Sequence, residues 1–178
     1  MQDTVAEIVT LCQRGDRDAQ RQLYESTHQK VFRLMVRMVG RQDADDLTQQ
    51  VFLQVFRKIS QFSGLARFET WLYRLAANEA LQHLRLDKRR SQSHTLKDEP
   101  VDHAPPHVEK TQQKDLLEQG LRRLDPDLRC IFLLREVEGL TYREIAESLE
   151  ISEGTVGSQL NRARRRLRKY LVDLGWEA

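Results

Sequence analysis

Residues 141–160 read TYREIAESLEISEGTVGSQL, and this stretch decides the fold of the second half of the chain. Thr141 and Glu144 have the spacing of a capping box, in which each side chain satisfies a free backbone N–H at the start of a helix. The next apolar side chains follow at helical spacing and are Ile145, Ala146 and Leu149. Ser152 is a suitable N-cap for another helix. The pattern therefore predicts a short helix, a tight turn and a second helix that begins at Glu153.

The predicted second helix is basic. Between Thr155 and Val172 the chain has six basic residues and no acidic residue, although its formal net charge is only +2. A basic stripe on an otherwise balanced chain favours a polyanionic partner. A short helix, a tight turn and a basic second helix are typical of a helix-turn-helix, whose second helix enters the major groove of DNA. The alternative from the residues alone is a set of ordinary amphipathic helices whose charged faces contact only solvent.

The outward face of this second helix carries the candidate DNA contacts. Glutamine can read adenine through two hydrogen bonds, and arginine can read guanine in the same way. Cations further along the helix suit phosphates. The candidates for base edges are Thr155, Ser158, Gln159 and Arg162, and the candidates for phosphates include Arg165 and Arg166.

The distribution of proline divides the chain. Three of the four prolines lie in a polar stretch at 91–113 that has no apolar periodicity, and such a composition predicts a flexible linker. We therefore predict an all-α protein with a helical bundle at 1–92, a flexible linker at 93–112 and a helix-turn-helix domain at 113–178. No segment shows the alternating pattern of a strand.

One helix of the predicted bundle has two distinct faces. Asp43 is its predicted N-cap, and an apolar stripe follows along one side. The opposite face is rich in acids and amides and carries Asp45, Asp46, Gln49, Gln50 and Gln54. From the residues alone, the simpler interpretation is a solvated face whose carboxylates are stabilised by the helix dipole. A later helix is predicted from about residue 68 to about residue 88.

Several functional classes are disfavoured by the composition. The two cysteines, Cys12 and Cys130, are far apart and form no CxxC motif, which fits a reducing compartment. No signal segment and no apolar run of about 20 residues is present, so we expect a cytoplasmic protein without membrane insertion. No nucleophile–base constellation or phosphate-binding glycine loop is visible. His103 and His107 have a spacing compatible with metal ligation but lie in the predicted linker. We therefore predict no enzyme activity, no cofactor and no metal site.

Three segments in the expected order resemble one family. The segment LRRLDPDLRCIFLLREVEGLTYREIAESLEISEGTVGSQLNRARRRLRKYL resembles region 4 of extracytoplasmic-function (ECF) sigma factors. DADDLTQQVFLQVFRKISQF is similar to their region 2.2, and FETWLYRLAANEALQHLR to their regions 2.3 and 2.4. The resemblance covers nearly the whole chain apart from the predicted linker. It implies a dissociable subunit of bacterial RNA polymerase that recognises promoters, with region 2 on the −10 element and region 4 on the −35 element.

The resemblance also implies partners and roles for particular residues. The partners are core RNA polymerase (through its β′ clamp helices and β flap), promoter DNA and an anti-sigma factor. The acidic and amide face defined above is expected to dock on the β′ clamp helices. The segment 62–90 mixes aromatic and basic side chains, and the loop at 63–67 and Asn78 are expected to contact the opened strand. From the residues alone, the simpler interpretation of Phe68 and Trp71 is that they are core side chains. The expected −10 contacts are Arg67, Trp71, Arg74, Asn78, Arg85 and Arg89.

Some positions depart from the pattern of the family. Gln82 stands where an aspartate is common, and Glu150 replaces a frequent turn glycine. Gly157 and Gln159 stand where lysine and arginine are usual in the recognition helix. These changes bear on the −35 sequence preference and leave the expected polymerase-docking face untouched.

Two other functional hypotheses remain. A freestanding helix-turn-helix regulator would bind duplex DNA without polymerase, but it leaves the acidic helix and the −10-like segment without a role. A helical adaptor that binds only proteins leaves the basic helix unexplained, and a salt-dependent DNA affinity would count against it.

Overall fold

The computed structural model describes residues 2–93 and 112–176, and its side chains are described within 5–90 and 115–176. Both described parts are helical and contain no strand, so the all-α prediction is confirmed. The predicted linker lies almost entirely outside the described residues.

The first domain consists of four helices in sequence order. They are α1 (Gln2–Gln13), α2 (Arg17–Val39), α3 (Arg41–Lys58) and α4 (Phe68–Ser93), with a short 3₁₀ turn at Ile59–Gln61 after α3. Asp16 caps α2, because its carboxylate accepts hydrogen bonds of 2.9 Å from the backbone N–H groups of Asp18 and Ala19. This satisfies two donors that have no partner within the helix.

The start of α3 corrects one prediction. The helix begins at Arg41, so Asp43 lies within the first turn and is not the N-cap. Gly40 occupies the cap position with φ of 93°, a conformation that favours glycine. This single residue ends α2 and starts α3, so no longer loop is needed. The carboxylate of Asp43 lies instead 3.4 Å from the Nε2 atom of His83 on α4.

The four helices bury one continuous apolar core. Its largest fully enclosed side chains in this domain are Leu23, Val31, Leu34, Met35, Met38, Val51 and Leu72. Each such side chain stabilises the fold by about 1.5–3 kcal/mol relative to an exposed position. These residues follow the apolar periodicity of the sequence, and the predicted helical bundle is confirmed.

The second domain begins with α5 and ends with a long α8. Its helices are α5 (Gln112–Arg122), α6 (Pro126–Phe132), α7 (Tyr142–Leu149) and α8 (Glu153–Asp173), with a π-helical turn at Leu133–Val137 after α6. Gly120 is buried where α5 approaches α8. A Cβ atom there would lie only 2.9 Å from Leu167 Cδ1, so any larger residue would require the Leu167 side chain to shift.

The side chain of Arg129 joins the two domains. It is 8% exposed, and its guanidinium donates a 2.6 Å hydrogen bond to the carbonyl oxygen of Met38, in the last turn of α2. It also donates to the carbonyls of Arg122 and Leu124, at 2.6 and 3.1 Å. Carbonyls at helix ends have no partner within the helix, so one cation satisfies acceptors from both domains. Burial, and secondarily the charge of Arg122, lower the pKa of Arg129.

Candidate nucleic-acid interface

The helix-turn-helix is built by local hydrogen bonds. The Thr141 hydroxyl accepts from the backbone N–H of Glu144 at 3.2 Å, and the Glu144 carboxylate accepts from the backbone N–H of Thr141 at 2.8 Å. Ser152 caps α8 by accepting from the backbone N–H of Thr155 at 3.1 Å. Both caps, the short helix and the start of the second helix at Glu153 agree with the sequence prediction.

The turn between α7 and α8 depends on Glu150. This residue has φ of 57° and ψ of 42°, the left-handed conformation. It is the only non-glycine residue with positive φ in the described part of the chain. The backbone N–H of Ile151 then donates to the carbonyl of Ala146 at 3.1 Å, which closes the end of α7. A glycine would adopt this conformation without strain. This is the physical reason that glycine is frequent at this turn position, where the chain has Glu150.

The helix α8 buries one side and exposes another. Its buried residues are Val156, Leu160, Ala163 and Leu167. On the other side, Ser158, Arg162 and Arg165 are exposed, and Thr155, Gln159 and Arg166 are half-buried. The structure therefore brings all six candidate −35 residues together on one surface that follows directly from the capped turn.

The basic residues of α8 differ in their partners. Arg164 donates two hydrogen bonds to Glu136, at 3.1 and 2.5 Å, and Arg166 forms an ion pair with Asp125. Asp125 occupies the N-cap position of α6 but makes no side-chain capping bond. Arg162 and Arg165 form no ion pair with other described residues, and these two cations are available to a polyanion.

One candidate −10 residue, Arg67, lines a cavity in the first domain. A cavity of about 360 Å³ lies between α1 and the loop at 63–67. Its lining includes Val9, Phe62, Leu65 and Phe68, and Leu65 is 94% exposed. Leu65 lies in the loop at 63–67 that was predicted to contact the opened strand, but it was not named individually among the −10 residues.

Trp71 belongs to an aromatic cluster at the edge of the same cavity. Its ring centroid lies 5.3 Å from that of Phe62 and 5.7 Å from that of Phe68. Phe68 is buried, whereas Trp71 is half-buried. The Trp71 ring therefore packs against its aromatic neighbours and still leaves part of its surface exposed to solvent. The other predicted −10 residues follow on the loop and along α4, where Arg67, Asn78, Arg85 and Arg89 are exposed and Arg74 is half-buried.

The helix α4 also contacts the helix-turn-helix domain directly. The Thr70 hydroxyl donates to Glu144 at 2.8 Å, and the Tyr73 hydroxyl donates to Glu138. Arg74 forms an ion pair with Glu150. Arg85 lies 3.7 Å from Asp127. Two predicted −10 residues, Arg74 and Arg85, thus have partners on the second domain.

The contacts between α4 and the second domain shift the pKa values of two side chains. Burial and the hydrogen bond to Glu138 raise the pKa of Tyr73 above its ordinary value. Burial also opposes ionisation of Glu144, but hydrogen bonds from Thr141 and Thr70 outweigh that effect and leave its pKa below the ordinary value. Tyr73 is therefore a neutral donor and Glu144 an anionic acceptor near pH 7.

The candidate polymerase-docking face lies on α3. Asp45, Asp46, Gln49 and Gln50 are exposed, and the half-buried Gln54 donates its amide to Glu79 of α4. Leu53 is 58% exposed. It lies four residues after Gln49 and three residues after Gln50, so it shares their side of the helix. Leu53 was not among the predicted site residues and is an apolar position within an otherwise polar face.

In the described part of the chain, no helix is both long enough and apolar enough to cross a membrane.

Known proteins are similar to this chain in sequence. Residues 23–90 match sigma-70 region 2, and residues 114–167 match sigma-70, region 4. The RNA polymerase sigma-H factor of Pseudomonas aeruginosa is 35% identical over 99% of this chain and 98% of its own length. The ECF RNA polymerase sigma-E factor of Haemophilus influenzae is 33% identical over 94% of this chain and 95% of its own length.

A solved structure has the same fold. It is the sigma factor RpoE in complex with the anti-sigma factor NepR from Bartonella quintana. The TM-score is 0.72 with 23% identity, over 85% of this chain and 95% of that one. With the two region matches and the full-length relatives, the chain belongs to the sigma-70 family and is an ECF-type RNA polymerase sigma factor, a DNA-binding regulator that directs promoter-specific transcription.

Proposed function

We propose that this sigma factor reads the −35 element through the exposed face of α8 and the −10 element through α4 and the loop at 63–67. The observation that carries the proposal is the surface at the start of α8. The proposed base-reading side chains follow a turn that begins at the C-cap of α7, Glu150, and ends at the N-cap of α8, Ser152. They point away from the apolar core. A rigid, capped helix start is what a major-groove reader requires.

The −35 contacts divide into two classes. Thr155, Ser158, Gln159 and Arg162 reach base edges, and Arg162 is the strongest candidate because it is exposed and forms no ion pair among the described residues. Arg165 and Arg166 contact phosphates, and Arg166 must first release Asp125. Phosphate contacts position the helix, whereas base contacts supply specificity.

The −10 contacts capture bases from the opened strand. Unstacking a base costs a few kcal/mol, and stacking it on an aromatic side chain returns about 1–3 kcal/mol. The cavity beside the loop at 63–67 supplies an apolar wall and the half-buried ring of Trp71 lies at its edge. Arg67 and Asn78 would then contact the captured strand, while Arg74, Arg85 and Arg89 contact its phosphates.

Core RNA polymerase docks on α3. Exposed Asp45 and Asp46 suit a basic partner surface, as do the amides of Gln49 and Gln50. Gln54 reaches the same partner from the end of this face, and Leu53 adds an apolar contact. The partner surface is the β′ clamp helices, and the second domain contacts the β flap. Polymerase performs the chemistry, so the chain itself is not an enzyme, and it acts in the cytoplasm.

Promoter binding requires the two domains to separate. In the closed arrangement Glu150 and Asp127 compete with DNA phosphates for Arg74 and Arg85. We propose domain boundaries at 1–92 and 113–178, joined by the segment predicted as a linker at 93–112, which lies almost entirely outside the described residues. An anti-sigma factor would act by holding the domains in an arrangement that blocks the DNA contacts, and the solved relative is itself bound to one.

Initiation from a cognate promoter tests the residue assignment. Arg162→Ala should reduce initiation about 5- to 150-fold and remove the preference at the one −35 base pair that Arg162 contacts, because one bidentate base contact contributes about 1–3 kcal/mol. Arg168→Ala is the matched control, since Arg168 is an exposed cation on another side of α8. Equal losses in both variants would show that α8 contributes only nonspecific charge.

A further inference from the structure

Three side chains from two helices converge outside the proposed DNA and polymerase contacts. His83 and Asp87 lie one turn apart on α4, and Asp43 faces them from the first turn of α3. The Nε2 atom of His83 lies 3.0 Å from Asp87 Oδ2 and 3.4 Å from Asp43 Oδ2. One ligand atom from each residue lies within 4.8 Å of the others.

These distances do not describe a simple hydrogen-bonded ion pair. The Nε2 atom of His83 is buried, yet it makes no hydrogen bond with correct geometry to either carboxylate. Buried polar atoms normally have a partner. The other oxygen of Asp87, Oδ1, lies 3.9 Å from Arg90, so Oδ2 remains directed toward the histidine.

We propose that Asp43, His83 and Asp87 form a binding site for a divalent transition-metal ion of the zinc class. Such an ion takes imidazole nitrogen and carboxylate oxygen at about 2.0–2.2 Å, and tetrahedral geometry then separates its ligand atoms by about 3.4 Å. The distance from His83 to Asp43 matches this spacing, and the distance to Asp87 is 0.4 Å shorter. The imidazole favours zinc, cobalt or nickel over magnesium and calcium, which prefer oxygen ligands alone.

The site would fasten the start of α3 to the second half of α4. The three side chains are 42%, 23% and 45% exposed, so a fourth position remains open to water. Asp45 and Asp46 follow Asp43 on α3, and a bound ion would therefore fix the helix start beside the proposed polymerase-docking face. Metal binding requires no polymerase and no DNA, so its test is independent of the promoter assignment.

Zinc titration of the full-length, chelator-treated chain tests the proposal. We expect one zinc ion per chain at micromolar concentration, accompanied by a rise in melting temperature and a shift of the His83 imidazole NMR signals. His83→Ala should weaken zinc binding at least about 100-fold, because even outer partners of metal ligands are worth 10–100-fold. Asp87→Asn keeps the shape of the side chain and should remove the zinc-dependent rise in melting temperature.

The other histidines supply the controls. His28→Ala, and the double variant His103→Ala with His107→Ala, should bind zinc as the unaltered chain does. Absence of zinc binding at micromolar concentration would overturn the proposal. Loss of binding in the His103 and His107 double variant, with binding kept in His83→Ala and Asp87→Asn, would overturn it as well.

Discussion

The guanidinium of Arg74 on α4 forms an ion pair with the carboxylate of Glu150, the left-handed residue in the turn of the helix-turn-helix. One partner is a proposed −10 contact, and the other belongs to the −35-reading motif. The pair therefore links the two promoter-reading elements to each other. If Arg74 has the proposed −10 role, DNA and the second domain would compete for the same guanidinium.

Breaking this pair should favour separation of the domains. Exposed ion pairs contribute about 0.2–1 kcal/mol, so Glu150→Gln should increase the separated fraction by up to about fivefold. Single-molecule energy transfer between one dye on each domain measures that fraction. Glu147→Gln is the control, because Glu147 pairs with Arg143 within α7 at 3.0 Å. An identical response in the two variants would contradict a role for the interdomain pair.

Replacing Gly157 should stabilise the second domain. Gly157 lies inside α8, and an added Cβ would meet only the Tyr142 ring, at 3.5 Å. Gly157→Ala should therefore raise the free energy of unfolding by up to about 1 kcal/mol, measured by urea denaturation. Gly120→Ala should lower it, because its Cβ would lie 2.9 Å from Leu167. Stabilisation by both substitutions would contradict the proposed packing of α5 on α8.

Arg129→Lys should destabilise the closed arrangement. A single ammonium cannot reproduce the planar fork that reaches Met38, Arg122 and Leu124, and buried carbonyls left without donors cost about 1–3 kcal/mol each. We expect a loss of at least about 2 kcal/mol in the free energy of unfolding. Arg123→Lys, at an exposed position, is the control. Wild-type stability of Arg129→Lys would show that the buried hydrogen bonds are not needed.

Glu144 should make stability depend on acidic pH. Its pKa in the folded chain is lowered below the ordinary 4.5, so its contribution is fully present above about pH 4.5 and is lost as pH falls through the lowered value. Urea midpoints of the unaltered chain and of Glu144→Gln should differ at pH 7, and the difference should shrink below pH 4.5. A difference that stays constant to pH 3 would mean that the charge of Glu144 contributes nothing.

The local features of this protein were predictable from sequence. The capping box of Thr141 and Glu144 and the cap at Ser152 depend on residues three positions apart, and both formed as predicted. The exposed face of α8 followed from helical periodicity alone. The start of α3 was placed wrongly because Gly40, with its positive φ, begins the helix before Asp43.

Features that depend on long-range packing were not predictable. The partner of Arg129 is the carbonyl of Met38, 91 residues earlier in the chain. Asp125 has the right position for a cap, yet its carboxylate pairs with Arg166, 41 residues later. No local pattern encodes either choice. The cluster around His83 likewise requires two helices to be placed side by side before its chemistry is visible.

Transcription from a pool of genomic fragments tests the central claim most directly. Core RNA polymerase of the source bacterium is assayed with and without this chain, and transcript 5′ ends are sequenced. We predict discrete transcripts that require the added chain and share −10 and −35 sequences upstream. The account would be contradicted if this core, active with another sigma factor, gave no new transcripts while the chain bound duplex DNA tightly by itself.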